Sequence, residues 1–180
     1  MTHPIYIKSP NAEFTQELGK AIGEIASAGD VILLTGELGS GKTCLTQGIA
    51  FGLGVEGYVR SPTFVLMTRH HGRLTLHHVD LYRMGSSAEA WDLGLDEQVS
   101  GDGVCVVEWP DRAPELFIKN GPQDDLQGSP AGSLWVKLAY SQNEDQREIT
   151  LSGGPEHFCA TLSDLAAMYP PKNTTGQGGI

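Results

Sequence analysis

The run Gly36-Glu37-Leu38-Gly39-Ser40-Gly41-Lys42-Thr43 has the residue types and the spacing to hold a polyphosphate, and it directly follows the apolar run Val31-Ile32-Leu33-Leu34. Consecutive backbone N–H groups of a glycine-rich turn converge on an oxyanion, and the helix that follows adds its positive N-terminal pole at the same point. Gly36 and Gly41 permit backbone conformations and a close approach that a β-carbon blocks. Glu37, Leu38, Gly39 and Ser40 complete the turn and Cys44 follows it. Lys42 can reach the β- and γ-phosphates, and the Thr43 hydroxyl can ligate magnesium. A glycine-rich turn with a solvated lysine would need neither a buried strand before it nor a helix after it.

Phosphoryl chemistry at such a loop needs a second anionic group for magnesium or its waters, at the C-terminal end of a neighbouring buried strand. Glu108 is so placed, closing the apolar run Val104-Cys105-Val106-Val107. The usual residue is aspartate; the longer side chain could reach the metal's water shell or orient the attacking water, or simply pair with Arg112. Asp80 ends the run from Leu74 to Val79 in the same way, with a turn role or a pairing to Arg83 as its alternative. Either acid could hold the metal while the other positions water.

Arg60-Ser61-Pro62-Thr63 lies where the chain leaves the P-loop helix. A threonine on such a connector can contact magnesium and the γ-phosphate as nucleotide switches do, or Ser-Pro can simply open a strand. His70, His71, His77 and His78 form the densest histidine group. Adjacent strand residues point to opposite faces and no cysteine lies near them, so zinc binding is not expected.

These groups need a scaffold, and hydrophobic periodicity outlines one. Phe14, Leu18, Ala21, Ile22 and Ile25 predict a helix from about Pro10 to Ser27, with Ser9 or Asn11 as its cap. A strand from Val31 to Thr35, the loop, and a helix from Lys42 to about Phe51 follow, with Gly52 and Gly54 as helix breakers. Thr63 to Met67 and Leu74 to Val79 read as strands of a hairpin around His71-Gly72-Arg73. A short helix from Ala88 to Trp91 and a turn at Leu95 to Val99 precede a strand from Gly103 to Val107, covered on both faces. Asn120 to Gly132 reads as a surface loop, Leu134 to Tyr140 and Arg147 to Leu151 as paired strands, and Pro155 to Met168 as a closing helix. The expected fold is an α/β P-loop sheet, parallel in the centre, with an antiparallel hairpin and antiparallel C-terminal strands, flanked by helices. One domain over residues 1–168 is expected, followed by a disordered tail from Tyr169 to Ile180.

Composition narrows the partners. A net charge of −10 with only 12 Lys and Arg argues against a direct grip on DNA or RNA, so any nucleic acid would be held by a partner. Three widely spaced cysteines and the lack of an export signal or a long apolar span predict a cytoplasmic protein with no membrane association.

The order of motifs is specific: the P-loop, then Ser61-Pro62-Thr63-Phe64, His78-Val79-Asp80-Leu81-Tyr82-Arg83, Leu93-Gly94 and Val107-Glu108-Trp109. It resembles the TsaE (YjeE) family of bacterial P-loop ATPases over about residues 10–115, with a looser match near Arg147. The resemblance implies binding of ATP and Mg2+, and work with the TsaD and TsaB proteins in adding threonylcarbamoyl to adenosine 37 of certain tRNAs. It further implies a phosphate cradle at Gly39 to Thr43, magnesium at Thr43 and Glu108, Asp80 beside the γ-phosphate, Thr63 in a switch segment, and Trp109 at the site's edge. Asn11, Thr15 and Arg147 resemble residues of segments that flank the adenine. Cys44 stands in place of a commoner second threonine. Two rival readings are a small-metabolite kinase, whose arginine-bearing lid has no counterpart in the arginine-free 120–132 loop, and a non-catalytic module that ATP merely orders.

Overall fold

The computed structural model describes residues 3–85, 89, 102–117 and 133–168. Seven strands form one mixed sheet: β1 (Ile5–Ser9), β2 (Val31–Thr35), β3 (Met67–His70), β4 (Leu76–Asp80), β5 (Val104–Glu108), β6 (Leu134–Tyr140) and β7 (Arg147–Gly153). Their order is β1-β7-β6-β2-β5-β4-β3. β6, β2, β5 and β4 run parallel, while β3 pairs antiparallel with β4, and β7 with both β6 and β1. The expected parallel centre with antiparallel flanks is the fold observed. Helices α1 (Ala12–Ile25), α2 (Lys42–Gly52), α3 (Pro114–Phe117) and α4 (Glu156–Met168), with a 3-10 turn at Pro110–Arg112, complete the described elements.

Alternation along the strands sorts the core into two layers. Ile32 and Leu34 of β2, Val104 and Val106 of β5 and Leu134, Val136 and Leu138 of β6 meet Leu18 and Ile22 of α1, Leu45 and Ile49 of α2, and Phe158 and Leu162 of α4. Val31, Leu33, Val79, Cys105, Val107 and Trp135 face the other way and pack with Leu116 and Phe117. The strand ends Asp80 and Glu108 share the phase of Leu76 and Val104, so both carboxylates stand on the face that α2 covers. That shared phase puts them beside the P-loop.

α1 and α2 touch through glycine. A β-carbon on Gly19 or Gly23 would come 2.3 and 2.2 Å from the carbonyl oxygens of Leu45 and Ile49, and one on Gly48 or Gly52 would come 2.1 Å from those of Gln16 and Lys20. Backbone therefore packs on backbone, which fixes the start of α1 against the start of α2. Gly52 is the last residue of α2, at the expected end of the helix, and it also packs on Lys20; the left-handed turn beyond it falls at Gly54, with φ +73°. α1 is capped by Asn11, whose Oδ1 accepts from Phe14 N at 2.9 Å, and its last carbonyls, at Gly23, Glu24 and Ala26, accept from the Arg73 guanidinium at 2.6–3.0 Å.

Two strand expectations need correction. Thr63 to Met67 is not a strand: residues 63–65 turn, Leu66 takes φ +64°, and β3 begins only at Met67. The Thr63 hydroxyl bonds Asp80, which pulls the segment out of the ladder and leaves Phe64 83% exposed. β1, not foreseen, adds an antiparallel edge to β7. The expected elements at Ala88–Trp91, Leu93–Gly94, Leu95–Val99, Asn120–Gly132 and Tyr169–Ile180 lie outside the described residues, apart from Glu89.

Candidate functional site

The P-loop leaves β2 and enters α2 through three glycines at positive φ: Gly36 at 141°, Gly39 at 76° and Gly41 at 105°. At Gly36 a β-carbon would also lie 2.2 Å from the Leu138 carbonyl oxygen. Gly41 is the N-cap of α2 and brings no side-chain cap, so the first amides of that helix point into the loop's concavity. That concavity, together with α2's dipole, suits a phosphate chain.

Lys42 is 4% exposed. Its Nζ donates to Gly36 O and Glu37 O, both at 2.8 Å, and lies 3.8 Å from the centre of the Trp109 ring. Trp109 follows Glu108 in the left-handed region at φ +62°, the backbone turn that swings the indole over the lysine. Burial pushes the Lys42 ammonium below its ordinary 10.5, while Glu108, Asp80 and Asp111 push it back up.

The two carboxylates sit opposite one another in the β4–β5 register. Glu108 Oε2 accepts from Thr43 Oγ1 at 3.1 Å; its Oε1 accepts from His78 Nε2 at 2.9 Å, with Thr46 Oγ1 at 3.5 Å. Asp80 Oδ2 accepts from Ser61 Oγ and from Thr63 Oγ1, the latter at 2.5 Å, and Oδ1 accepts from Tyr82 N at 3.0 Å. Arg112 lies over the Tyr82 ring and Arg83 over the Phe64 ring, so the two arginines that might have neutralised these acids are used elsewhere. Lys42, Thr43, Thr63, Asp80, Glu108 and Trp109 line one cleft of about 370 Å³. Its donors are hydroxyls and carboxylates, hard oxygen ligands of the kind magnesium selects.

A second cleft, of about 710 Å³, opens on the other side of the loop and shares Gly39, Gly41 and Cys44 with the first. Asn11, Thr15 and Arg147 all line it. Thr15 is buried, its Oγ1 2.8 Å from Ser9 Oγ. Arg147 donates to Ser40 O at 3.1 Å and Gly39 O at 3.4 Å, bracing the P-loop from β7. Cys44 Sγ donates to Ala12 O at 3.4 Å, and burial raises its thiol above the ordinary 9.0. Apart from the histidines, the described site residues expected from sequence therefore lie in or around the loop, contributed by α1, α2, β4, β5 and β7 and the connector at Thr63.

The family model for threonylcarbamoyl adenosine biosynthesis protein TsaE matches residues 9–149. The chain is 41% identical over 160 residues to the tRNA threonylcarbamoyladenosine biosynthesis protein TsaE of Bacillus subtilis, spanning 88% of this chain and 92% of that one. It is 50% identical over 158 residues to the protein of the same name from Streptomyces coelicolor, spanning 84% and 99%. The crystal structure of Bacillus subtilis YdiB superposes with a TM-score of 0.71 at 31% identity, over 92% of this chain and 96% of that one. The chain belongs to the TsaE family.

In this TsaE-family chain, sequence reading left three neighbours of the site without a role there. His78 was grouped with the other imidazoles, yet it is wholly buried against Glu108, while His77 faces the opposite side of β4. Thr46 repeats the Thr43 face one turn along α2, and Tyr140 OH donates to Leu38 O at 2.7 Å from the end of β6. Strand phase would have found the first: His78 alternates with Leu76 and Asp80. Among the described residues no helix is long and apolar enough to cross a membrane.

Proposed function

We propose that this protein is a magnesium-dependent ATPase, weak alone, that acts on a TsaD–TsaB complex to support threonylcarbamoylation of adenosine 37 in tRNA. The observation that carries the reading is the single cleft in which the P-loop lysine, the Thr43–Glu108 pair and Asp80 face one another. Gly36 to Cys44 would hold the phosphates, Thr43 and Glu108 the Mg2+, and Asn11, Thr15 and Arg147 would flank the adenine. Bound there, magnesium would offset negative charge on the phosphate oxygens. Lys42 adds a second cation in a water-poor setting, where a charge acts more strongly than in bulk solvent. Asp80, held through both oxygens, would align the attacking water. Positioning and charge then suffice, without a covalent intermediate.

The surroundings favour work on a protein complex over work on free tRNA. Leu38, Phe64 and Val65 stand 66%, 83% and 66% exposed beside the cleft, and the net charge of −10 does not favour direct contact with a phosphate backbone. Residues 1–168 would act as one domain in the cytoplasm. Phosphate release from ATP, measured with and without magnesium and with and without TsaB and TsaD, tests the proposal. Magnesium-dependent release that rises with both partners supports it; a phosphorylated small molecule would indicate a kinase, and tight ATP binding with no turnover under any condition would indicate a nucleotide-gated module.

A further inference from the structure

Glu108 has one more rotatable bond than the aspartate usual at a metal-serving strand end, so holding its carboxylate still takes an additional restraint. The structure supplies one on the oxygen that does not meet Thr43. Oε1 accepts from His78 Nε2 at 2.9 Å, and both side chains are buried, at 0% and 3% exposure. A carboxylate only accepts, so the proton of this bond sits on Nε2. His78 Nδ1, also buried, has no partner among the described residues, which leaves Glu108 as the polar contact of this ring. β4 presents the ring from the same face as Asp80, two residues before the site, and α2 presents Thr46 one turn beyond Thr43. Oε1 is thus held by His78, with Thr46 Oγ1 3.5 Å away but closer to Lys42 O at 3.1 Å, while Oε2 stays at the Thr43 hydroxyl.

We propose that His78 is the positioning residue of this site: by holding Oε1 it turns Oε2 toward Thr43 and presets the magnesium-serving pair before nucleotide arrives. The inference rests on reading Thr43 and Glu108 as that pair. Partners of metal ligands commonly change metal affinity by roughly 10–100-fold when removed.

The test is the affinity for a non-hydrolysable ATP analogue, measured by calorimetry in EDTA and in excess magnesium, with the ratio of the two as readout. Wild-type protein binds more tightly with magnesium. His78→Asn, whose amide nitrogen falls near the place of Nδ1 and short of Glu108, lowers the ratio by roughly tenfold or more while affinity in EDTA stays unchanged. His78→Gln, whose amide reaches the place of Nε2, keeps the ratio within about threefold of wild type. A histidine with only a packing role would lower the melting temperature of both variants and leave the ratio alone. A wild-type ratio in His78→Asn, or equal ratios in the two variants, overturns the role of His78 and leaves the ATPase reading intact. If the asparagine protein does not fold, a tenfold fall in His78→Gln overturns it instead. Wild-type protein without any magnesium enhancement overturns the metal pair itself.

Discussion

On the phosphate side of the P-loop, Lys42, Asp80 and Glu108 are each at most 4% exposed, and the carboxylate oxygens accept from hydroxyl, imidazole or amide donors. On the base side, Glu144 and Asp145 are exposed, and Arg147 gives its guanidinium to the carbonyls of Gly39, Ser40, Glu144 and Gln146. Buried charges held from several elements keep one geometry, which transition-state stabilisation requires, whereas exposed groups on a turn adapt and contribute mainly to ground-state binding. On the proposed ATPase reading, the chemistry would belong to the first cleft and the grip on the nucleotide largely to the second.

The contrast breaks most sharply at Lys42. Lys42→Ala and Glu108→Ala are expected to lower kcat by roughly 10²–10³-fold or more, the first by removing a cation from the phosphates and the second by removing a carboxylate that would hold magnesium. Steady-state phosphate release measures this, and turnover unchanged in both variants would remove the phosphate cleft from the mechanism.

The glycine seam between α1 and α2 joins the two clefts, because Asn11 caps one helix and Gly41 the other. Gly48→Ala drives a methyl toward the Gln16 carbonyl oxygen, 2.1 Å away, with backbone rather than a flexible side chain in its path. Destabilisation of about 1–3 kcal/mol is expected, less any gain in helix propensity. Urea denaturation reads it, and a variant as stable as wild type would show that the helices part freely.

Arg147→Ala is the corresponding cut on the base side. Losing its four hydrogen bonds to neutral carbonyls, two of them on the P-loop, should raise KM for ATP by roughly two- to tenfold and leave kcat within about twofold. A fall in kcat at unchanged KM would reverse the assignment of the two clefts.

Much of this arrangement could be read from residues whose local chemistry and global role agree. Val31 to Leu34 before the P-loop, and Val104 to Val107 before Glu108, are apolar because both sheet faces are covered, so their bounds came out within a residue. The failures have one cause. Thr63-Phe64-Val65-Leu66-Met67 has strand propensity, but the Ser61 and Thr63 hydroxyls bond Asp80, from a residue 17 positions away in the case of Thr63. The packing of Gly52 against the Lys20 carbonyl, beyond its place at the end of α2, leaves no mark on its own neighbours in sequence. β1 pairs with a strand more than a hundred residues later, and its five residues carry little pattern alone. For the site, residue types named the acids and the lysine; the His78–Glu108 contact needed the register of β4 on β5.

His77 supplies the smallest test, on the sheet face turned away from the site. Its side chain is 6% exposed, neither ring nitrogen has a partner among the described residues, and the ring lies 2.9 Å from where a β-carbon of Gly103 would be. Burial holds its pKa below the ordinary 6.5; Arg69, opposite it on β3, adds to the effect and Asp102 opposes it. In the unfolded chain the imidazole takes a proton as pH falls through 6.5, while the folded chain resists until its lower pKa is passed. Acid therefore favours unfolding across that window, and the stability His77 costs is absent above it. His77→Leu should shrink the drop in urea midpoint between about pH 7.5 and about pH 5.5, with nucleotide affinity at the upper pH unchanged. An undiminished drop would assign the acid sensitivity to other histidines, and a change in nucleotide affinity would show that the two faces of β4 are not independent.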